Sequence, residues 1–226
     1  METRRQIILQ GITDVLAMFL PAVPFALVLG VAIANSGINP WLGWASSVIV
    51  FGGASQLTLI TLLGDGAAVA AAVSAALIVN ARHLLYSAAM APTFQQQPRW
   101  FRWLGPYLLT DQAFALGMLR INDDPANFRL YYLTVGALFC VLWIVFTGLA
   151  LVIGPVIPTH WNIGLAVPIM FLGLLVMSVD RWPKVAAAIA AAGTTYLCAN
   201  LPNGSGLLIG AFAGIIVGAT LDRLRR

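Results

Sequence analysis

Charge is scarce in this chain. Of its 226 residues only 9% are charged and 60% are hydrophobic, with a mean hydropathy of +0.90. A soluble domain carries roughly 25% charged residues. So little charge cannot cover a water-facing surface, so most of the surface must meet lipid. The deficit comes in blocks. No charged residue lies between Asp14 and Asp65, between Arg129 and Asp180, or between Lys184 and Asp222. A spanning helix takes about 20 apolar residues. Each block is long enough for two passes and must fold back within itself.

Other absences narrow the class further. Strict apolar–polar alternation is missing, which argues against a membrane β-barrel. No G-x-x-x-x-G-K-[ST] loop occurs, which excludes an internal ATPase. Only two cysteines are present, Cys140 and Cys198, inside apolar runs and without metal-ligand spacing. They read as small core residues, and neither a metal nor another cofactor is expected. The net charge of +4 does not signal nucleic acid, because the basic residues stand singly or in pairs at the ends of apolar runs. Positive-inside anchoring puts them there. The terminal Asp222-Arg223-Leu224-Arg225-Arg226 suits anionic lipid headgroups. The apolar run near the N-terminus is broken by Pro21 and Pro24 and does not read as a cleavable signal.

The fold expected is an all-α, polytopic transmembrane bundle of about seven or eight spans, forming one membrane domain over residues 1–226. Candidate spans fall near 12–34, 42–63, 67–93, 103–119, 130–153, 162–179, 185–200 and 205–221. Turn chemistry separates them, as in Gly64-Asp65-Gly66 and Asp123-Asp124-Pro125. The last two are short enough to form a re-entrant hairpin instead. With both termini cytoplasmic, nine basic residues fall inside and only Arg99 and Arg102 outside. An irregular segment among the first three spans would move that pair inside. Lone His160 beside Trp161 reads as an interfacial anchor. A faint echo between Val23-Pro24…Gly30 and Val167-Pro168…Gly173 raises the possibility of an inverted repeat.

Several spans are interrupted. Pro21 and Pro24 lie in the first, Gly52-Gly53 in the second, and Pro168 and Gly173 in the sixth. Broken helices free backbone groups that only protein or a wet cavity can satisfy at membrane depth, and in transporters such breaks often line the solute site. The competing reading is close packing: Gly52, Gly53 and Ala54 would let another backbone approach. If the helix breaks at those glycines, its free N–H groups could receive a carboxylate.

The densest chemistry is Asn80-Ala81-Arg82-His83-Leu84-Leu85-Tyr86-Ser87. On a continuous helix at 100° per residue, Asn80, Arg82, His83, Tyr86 and Ser87 share a sector of about 160°. Leu84, Leu85 and Ala88 take the other side. An arginine at the helix centre costs about 2.5–3.5 kcal/mol on insertion, and a carboxylate is the natural offset. Asp111, placed mid-span in 103–119, is the expected partner. The pair is either a lock between two helices or a proton and solute site. Gln56 adds two donors and an acceptor within the second span.

These motifs resemble the AzlC-type large subunit of bacterial branched-chain amino acid exporters. The resemblance is carried by Pro21…Pro24-Phe25…Gly30, Phe51-Gly52-Gly53-Ala54-Ser55-Gln56, Asn80-Ala81-Arg82-His83-Leu84-Leu85-Tyr86 and Thr110-Asp111-Gln112-Ala113-Phe114, in that order, over roughly residues 10 to 120. It implies export of valine-like amino acids from a bacterial inner membrane, proton coupling, and a small AzlD-type membrane subunit as partner. Gln112 departs from the family pattern, where a second acid often follows the aspartate. The substrate-binding and proton-coupling candidates are therefore Arg82, His83, Asp111, Asn80, Gln56 and Tyr86. In this reading Arg82 holds the solute carboxylate, and Asp111 with Asn80 or Gln56 holds the ammonium. A passive channel or a non-transporting assembly subunit is the alternative. An intramembrane enzyme using Ser55 and His83 is weaker, because no G-x-S-x-G turn surrounds the serine.

Overall fold

The computed structural model describes residues 2–153, 181–200 and 205–224, with isolated positions 168, 172, 175, 176 and 179. The described residues are helical with no strand, as the composition requires. They divide into two compact units, Met1–Leu174 and Leu175–Arg226.

Two long rods organise the first unit. Helix α1 (Arg4–Phe19) starts earlier than the apolar pattern implied, because Thr3 and Gln6 form a capping box. Pro21 and Pro24 then fall in a 3-10 turn (Leu20–Ala22) and in the first turn of α2 (Val23–Asn35). A first-turn proline lacks an N–H the helix would not use. The prolines therefore modulate the rod without ending it, and Arg4–Asn35 is apolar and long enough to cross a membrane.

The second rod is the 29-residue α9 (Pro125–Ile153). At 1.5 Å per residue it is about 43 Å long, enough for the hydrocarbon core and both interfaces. The rods run parallel. Gly11 lies against Thr134, the Phe19 ring meets Phe139 and Phe146 edge-on at 5.3 and 5.1 Å, and Gly30 meets the backbone of Ala150 and Leu151.

The segments 42–63 and 103–119, read from sequence as spans, are each two short helices folded back on themselves. The first is α3 (Pro40–Ile49) and α4 (Gly53–Gly64). Both of its outer ends lie at the end of α2: a Cβ on Gly43 would press on Ile33, and one on Gly64 would lie 3.0 Å from the Ser36 backbone. The second is α7 (Arg99–Tyr107) and α8 (Asp111–Leu119). Gly105 and Gly117, one from each arm, both contact Tyr132 of α9, while the tip residue Leu108 sits deeper against Gly136. The two hairpins thus enter from opposite ends. The third segment, α5 (Val69–Asn80) and α6 (Arg82–Gln95), bends by 40° at Ala81. Two helices of the described residues can cross a membrane by length and composition, or three if this bent pair is one span.

The hairpins correct the expected charge distribution. Gln97 donates to the Pro125 carbonyl at 3.1 Å and accepts from Arg129 at 3.0 Å. Arg120 reaches Glu2 at 2.8 Å, Asp123 at 2.9 Å, and Gln10. The segment bearing Arg99 and Arg102 therefore shares an end with Arg4, Arg5, Arg120 and Arg129, not the opposite end. A segment that returns to its side of entry reverses the parity of everything after it.

The second unit contains α10 (Trp182–Leu197) and α11 (Ser205–Arg223). Gly206, Gly210, Gly214 and Gly218 recur every fourth residue and form one close seam against Cys198, Thr195, Ala191 and Ala187. Without side chains the backbones come close, as small-residue membrane seams allow. Arg181 pairs with Asp222 at 3.5 Å across the ends of the two helices. Cys140 and Cys198 are half-buried. Most of the expected 162–179 span, the His160–Trp161 pair, the Val167 and Gly173 positions of the repeat echo and Arg225–Arg226 lie outside the described residues.

Candidate functional site

Three chain breaks meet at one depth. Phe51 and Gly52 form the tip of the first hairpin, and Leu108, Leu109 and Thr110 that of the second. Ala81 is the bend between α5 and α6. Phe139, the midpoint of α9, and Trp143 one turn on form the wall behind them. A cavity opens there. Phe51, Gly52, Gly53 and Ala54 line it from the first tip, and Thr110, Asp111 and Gln112 from the second. His83 of α6 and Phe25 of α2 complete it. It leaves water centres about 20 Å³ of room, what one or two waters occupy.

Helices α4, α6 and α8 all start at this cavity. The first-turn N–H groups of α4 and α8 lack helical partners, and each of those two starts carries a partial positive charge; α6 follows α5 directly, and its Leu84 N–H donates to the Ala81 carbonyl. Thr110 caps α8 by accepting from Ala113 N at 3.2 Å. That cap places Asp111 at the first residue of a helix, at a hairpin tip, and not in the middle of a span. The same break changes the reading of the third segment. Asn80 ends α5 and Arg82 begins α6, so no continuous helical sector joins them.

Asp111 and Arg82 do meet, with Oδ2 and Nη2 3.0 Å apart and side chains 15% and 24% exposed. The second carboxylate oxygen, Oδ1, accepts from the Tyr86 hydroxyl at 2.8 Å. The Tyr86 ring stacks on Phe114 at 4.4 Å, and His83 meets its edge at 5.6 Å. Leu84, Leu85 and Ser87 point away and are exposed. For the leucines this matches the expected apolar side, but Ser87 departs from the polar sector.

Gln56 has a different setting. It is fully buried, donates to Ser46 and Ser47 at 2.8 and 2.9 Å, and accepts from the Trp143 indole at 3.2 Å. It ties α4 to α3 and to α9 and does not line the cavity. Gly52 presses on Asn80: an added Cβ would lie 3.1 Å from its Oδ1, a buried atom without a hydrogen-bond partner. Gly53 faces Phe25 and Trp143, where a Cβ would stand 2.9–3.0 Å from both rings. The glycines therefore serve the break and close packing at once. Pro21 and Pro24 lie outside the lining, Pro24 directly before Phe25. Ser55 donates to the Gly52 carbonyl at 2.8 Å.

Sequence reasoning missed Phe25, Phe51, Thr110, Phe139 and Trp143 as lining residues. The Thr-Asp-Gln-Ala sequence at 110–113 was readable as a helix start. Nothing local distinguishes Phe139 or Trp143 from the other aromatics of α9. No group of three or more His, Cys, Asp or Glu side chains forms a metal site among the described residues.

A family model described as AzlC protein matches residues 17–157 and so covers every residue of this cavity. An Escherichia coli protein called inner membrane protein YgaZ is 23% identical over 222 residues, 92% of this chain and 89% of its own. An Archaeoglobus fulgidus protein described as an uncharacterized membrane protein is 25% identical over 85% of each chain. A Helicobacter pylori protein with the same description is 28% identical over 65% of this chain, and the match spans 62% of its own length. No solved structure matches this chain. With the family model covering well over half of its length, the chain belongs to the AzlC family of membrane proteins.

Proposed function

We propose that this protein is a secondary transporter that exports small apolar amino acids of the valine type across a bacterial inner membrane. One observation carries the proposal: a paired carboxylate and guanidinium stand at the level of the middle of α9, beside the starts of α4 and α8 and an aromatic wall. A zwitterion with a branched apolar side chain needs those three features. Its carboxylate suits the positive helix starts and Arg82, and its ammonium suits Asp111. Its side chain suits Phe25, Phe139 and Trp143. The mode of action is binding and conformational exchange, without covalent catalysis.

The coupling proton goes to Asp111. A proton and an ammonium cannot occupy that carboxylate together, and mutual exclusion is what antiport requires. A proton entering down 100 mV yields about 2.3 kcal/mol, enough to hold a roughly fiftyfold solute gradient. The cavity is smaller than a valine, so the hairpin tips must part for loading. Arg4, Arg5, Arg99, Arg102, Arg120 and Arg129 share one end of the first unit, and the positive-inside rule puts that end in the cytoplasm. The small AzlD-type subunit belongs to the proposal through the family.

The test is counterflow of labelled valine in proteoliposomes, with and without the small subunit, against leucine, lysine and glutamate. Valine and leucine should exchange, lysine and glutamate should not, and Asp111→Asn should lose proton-driven accumulation. Flux that ignores an imposed pH gradient would make the protein a passive channel. Absence of exchange for every amino acid in both preparations would remove the transport reading.

A further inference from the structure

Both hairpins are firmly held along their arms. Trp44 of α3 donates to the Ile144 carbonyl at 2.9 Å, and Gln56 bonds Trp143. Tyr132 donates to the Gly105 carbonyl of α7 at 3.0 Å. The two tips also touch each other. The Phe51 and Tyr107 rings stack 5.6 Å apart, and the Tyr107 hydroxyl donates to the Val48 carbonyl at 2.7 Å.

Two features mark this seam. Val48 lies in the last turn of α3, where a carbonyl has no partner further along the helix. At membrane depth such a group needs a donor from elsewhere, and the other hairpin supplies it. Phe51 has a φ of 38°, the one positive value at a non-glycine among the described residues. An aromatic residue is rare in that region, and such strain persists only where surrounding contacts hold it. The Phe51 ring is buried, stacked on Tyr107, and forms one side of the cavity.

We propose that Phe51 and Tyr107 are the gate of the cavity: the stacked rings and the Tyr107–Val48 hydrogen bond hold the tips shut, and their separation admits the solute. Strain at Phe51 sets the closed state close in free energy to an open one, because release of the stack lets the backbone relax. The gate deepens the transport reading and rests on it for its purpose, though not for its test.

The protein carries its own reporter. The Cys140 side chain contacts the Tyr107 hydroxyl, so opening the seam should bring water to that thiol. Cys198, in the other unit, is the internal control. Membranes holding the full chain are treated with a small methanethiosulfonate, and both cysteines are followed by peptide mass spectrometry. Tyr107→Phe keeps the ring and removes one hydrogen bond, and Cys140 should then react about fivefold to tenfold faster. Phe51→Leu keeps apolar volume, removes the stack, and should act in the same direction. Cys198 should react at its original rate in both. If either variant is recovered in membranes and Cys140 reacts at the wild-type rate, or if both cysteines accelerate together, the gate is overturned. Phe51→Leu keeps the proposal testable should Tyr107→Phe not fold. Failed counterflow with a responsive Cys140 would refute the choice of solute and leave the gate standing. Working counterflow with an unresponsive Cys140 would do the reverse.

Discussion

Asp111 and Arg82 can be tested as lock and as site within one set of variants. Their charges stand 3.0 Å apart with both side chains mostly covered. At an effective dielectric near 20, the gross attraction is about 5.5 kcal/mol. Desolvation of both groups opposes it, and partial exposure reduces it further, leaving a coupling of about 2 kcal/mol, or roughly thirtyfold in an equilibrium constant. Asp111→Asn keeps an acceptor for Tyr86 and removes the negative charge that faces Arg82. Arg82→Gln removes the positive charge and leaves Asp111 its hydrogen bond from Tyr86. The double variant removes both charges. Reversible unfolding in mixed SDS micelles gives the double-mutant cycle. Each single variant should lose about 2–3 kcal/mol, and the double variant should recover most of one such loss. Valine counterflow on the same proteins separates the roles. A lock regains exchange with its stability, whereas a transport site regains stability alone. A coupling below about 0.5 kcal/mol would refute the electrostatic reasoning. Full transport in both single variants would remove the site.

Other expectations follow from particular contacts. Gly30→Leu should prevent close packing of α2 on α9, since even a Cβ would lie 2.6 Å from Leu151 N; little monodisperse protein should be recovered in detergent. Gln56→Leu leaves Ser46, Ser47 and the Trp143 indole without their partner, at about 2–3 kcal/mol, read as a lower melting temperature with Gln56→Asn milder. Glu2 is held below the usual carboxylate range by its hydrogen bond from Arg120. A depressed folded value stabilises above the unfolded value of about 4.3 and is lost as pH falls through the folded one. The melting advantage of wild type over Glu2→Gln should therefore be present at pH 7 and vanish on acidification below about pH 4.

Much of the first unit was legible in the sequence because bilayer physics acts on composition. The scarcity of charge fixed the solvent, and the apolar blocks fixed helices. An arginine within such a block demanded a carboxylate, and only Asp111 lay at the right depth. The glycine pair at 52–53 carried the break. Depth was legible, but direction was not. A re-entrant hairpin and a single span use the same number of apolar residues, so segments 42–63 and 103–119 looked like crossings. The helical sector from Asn80 to Ser87 assumed an unbroken helix across Ala81, where the ladder of hydrogen bonds is interrupted.

The sequence by itself determined the lipid environment, the helical class, and the chemistry that had to be buried: one guanidinium, one carboxylate and one imidazole among apolar residues. Those follow from transfer free energies, which each residue carries wherever the chain goes. Only the tertiary structure decided that two hairpins enter from opposite ends and that their tips, the bend at Ala81 and the aromatic side of α9 close one cavity. Such proximity depends on where distant segments return, and no local free energy encodes that.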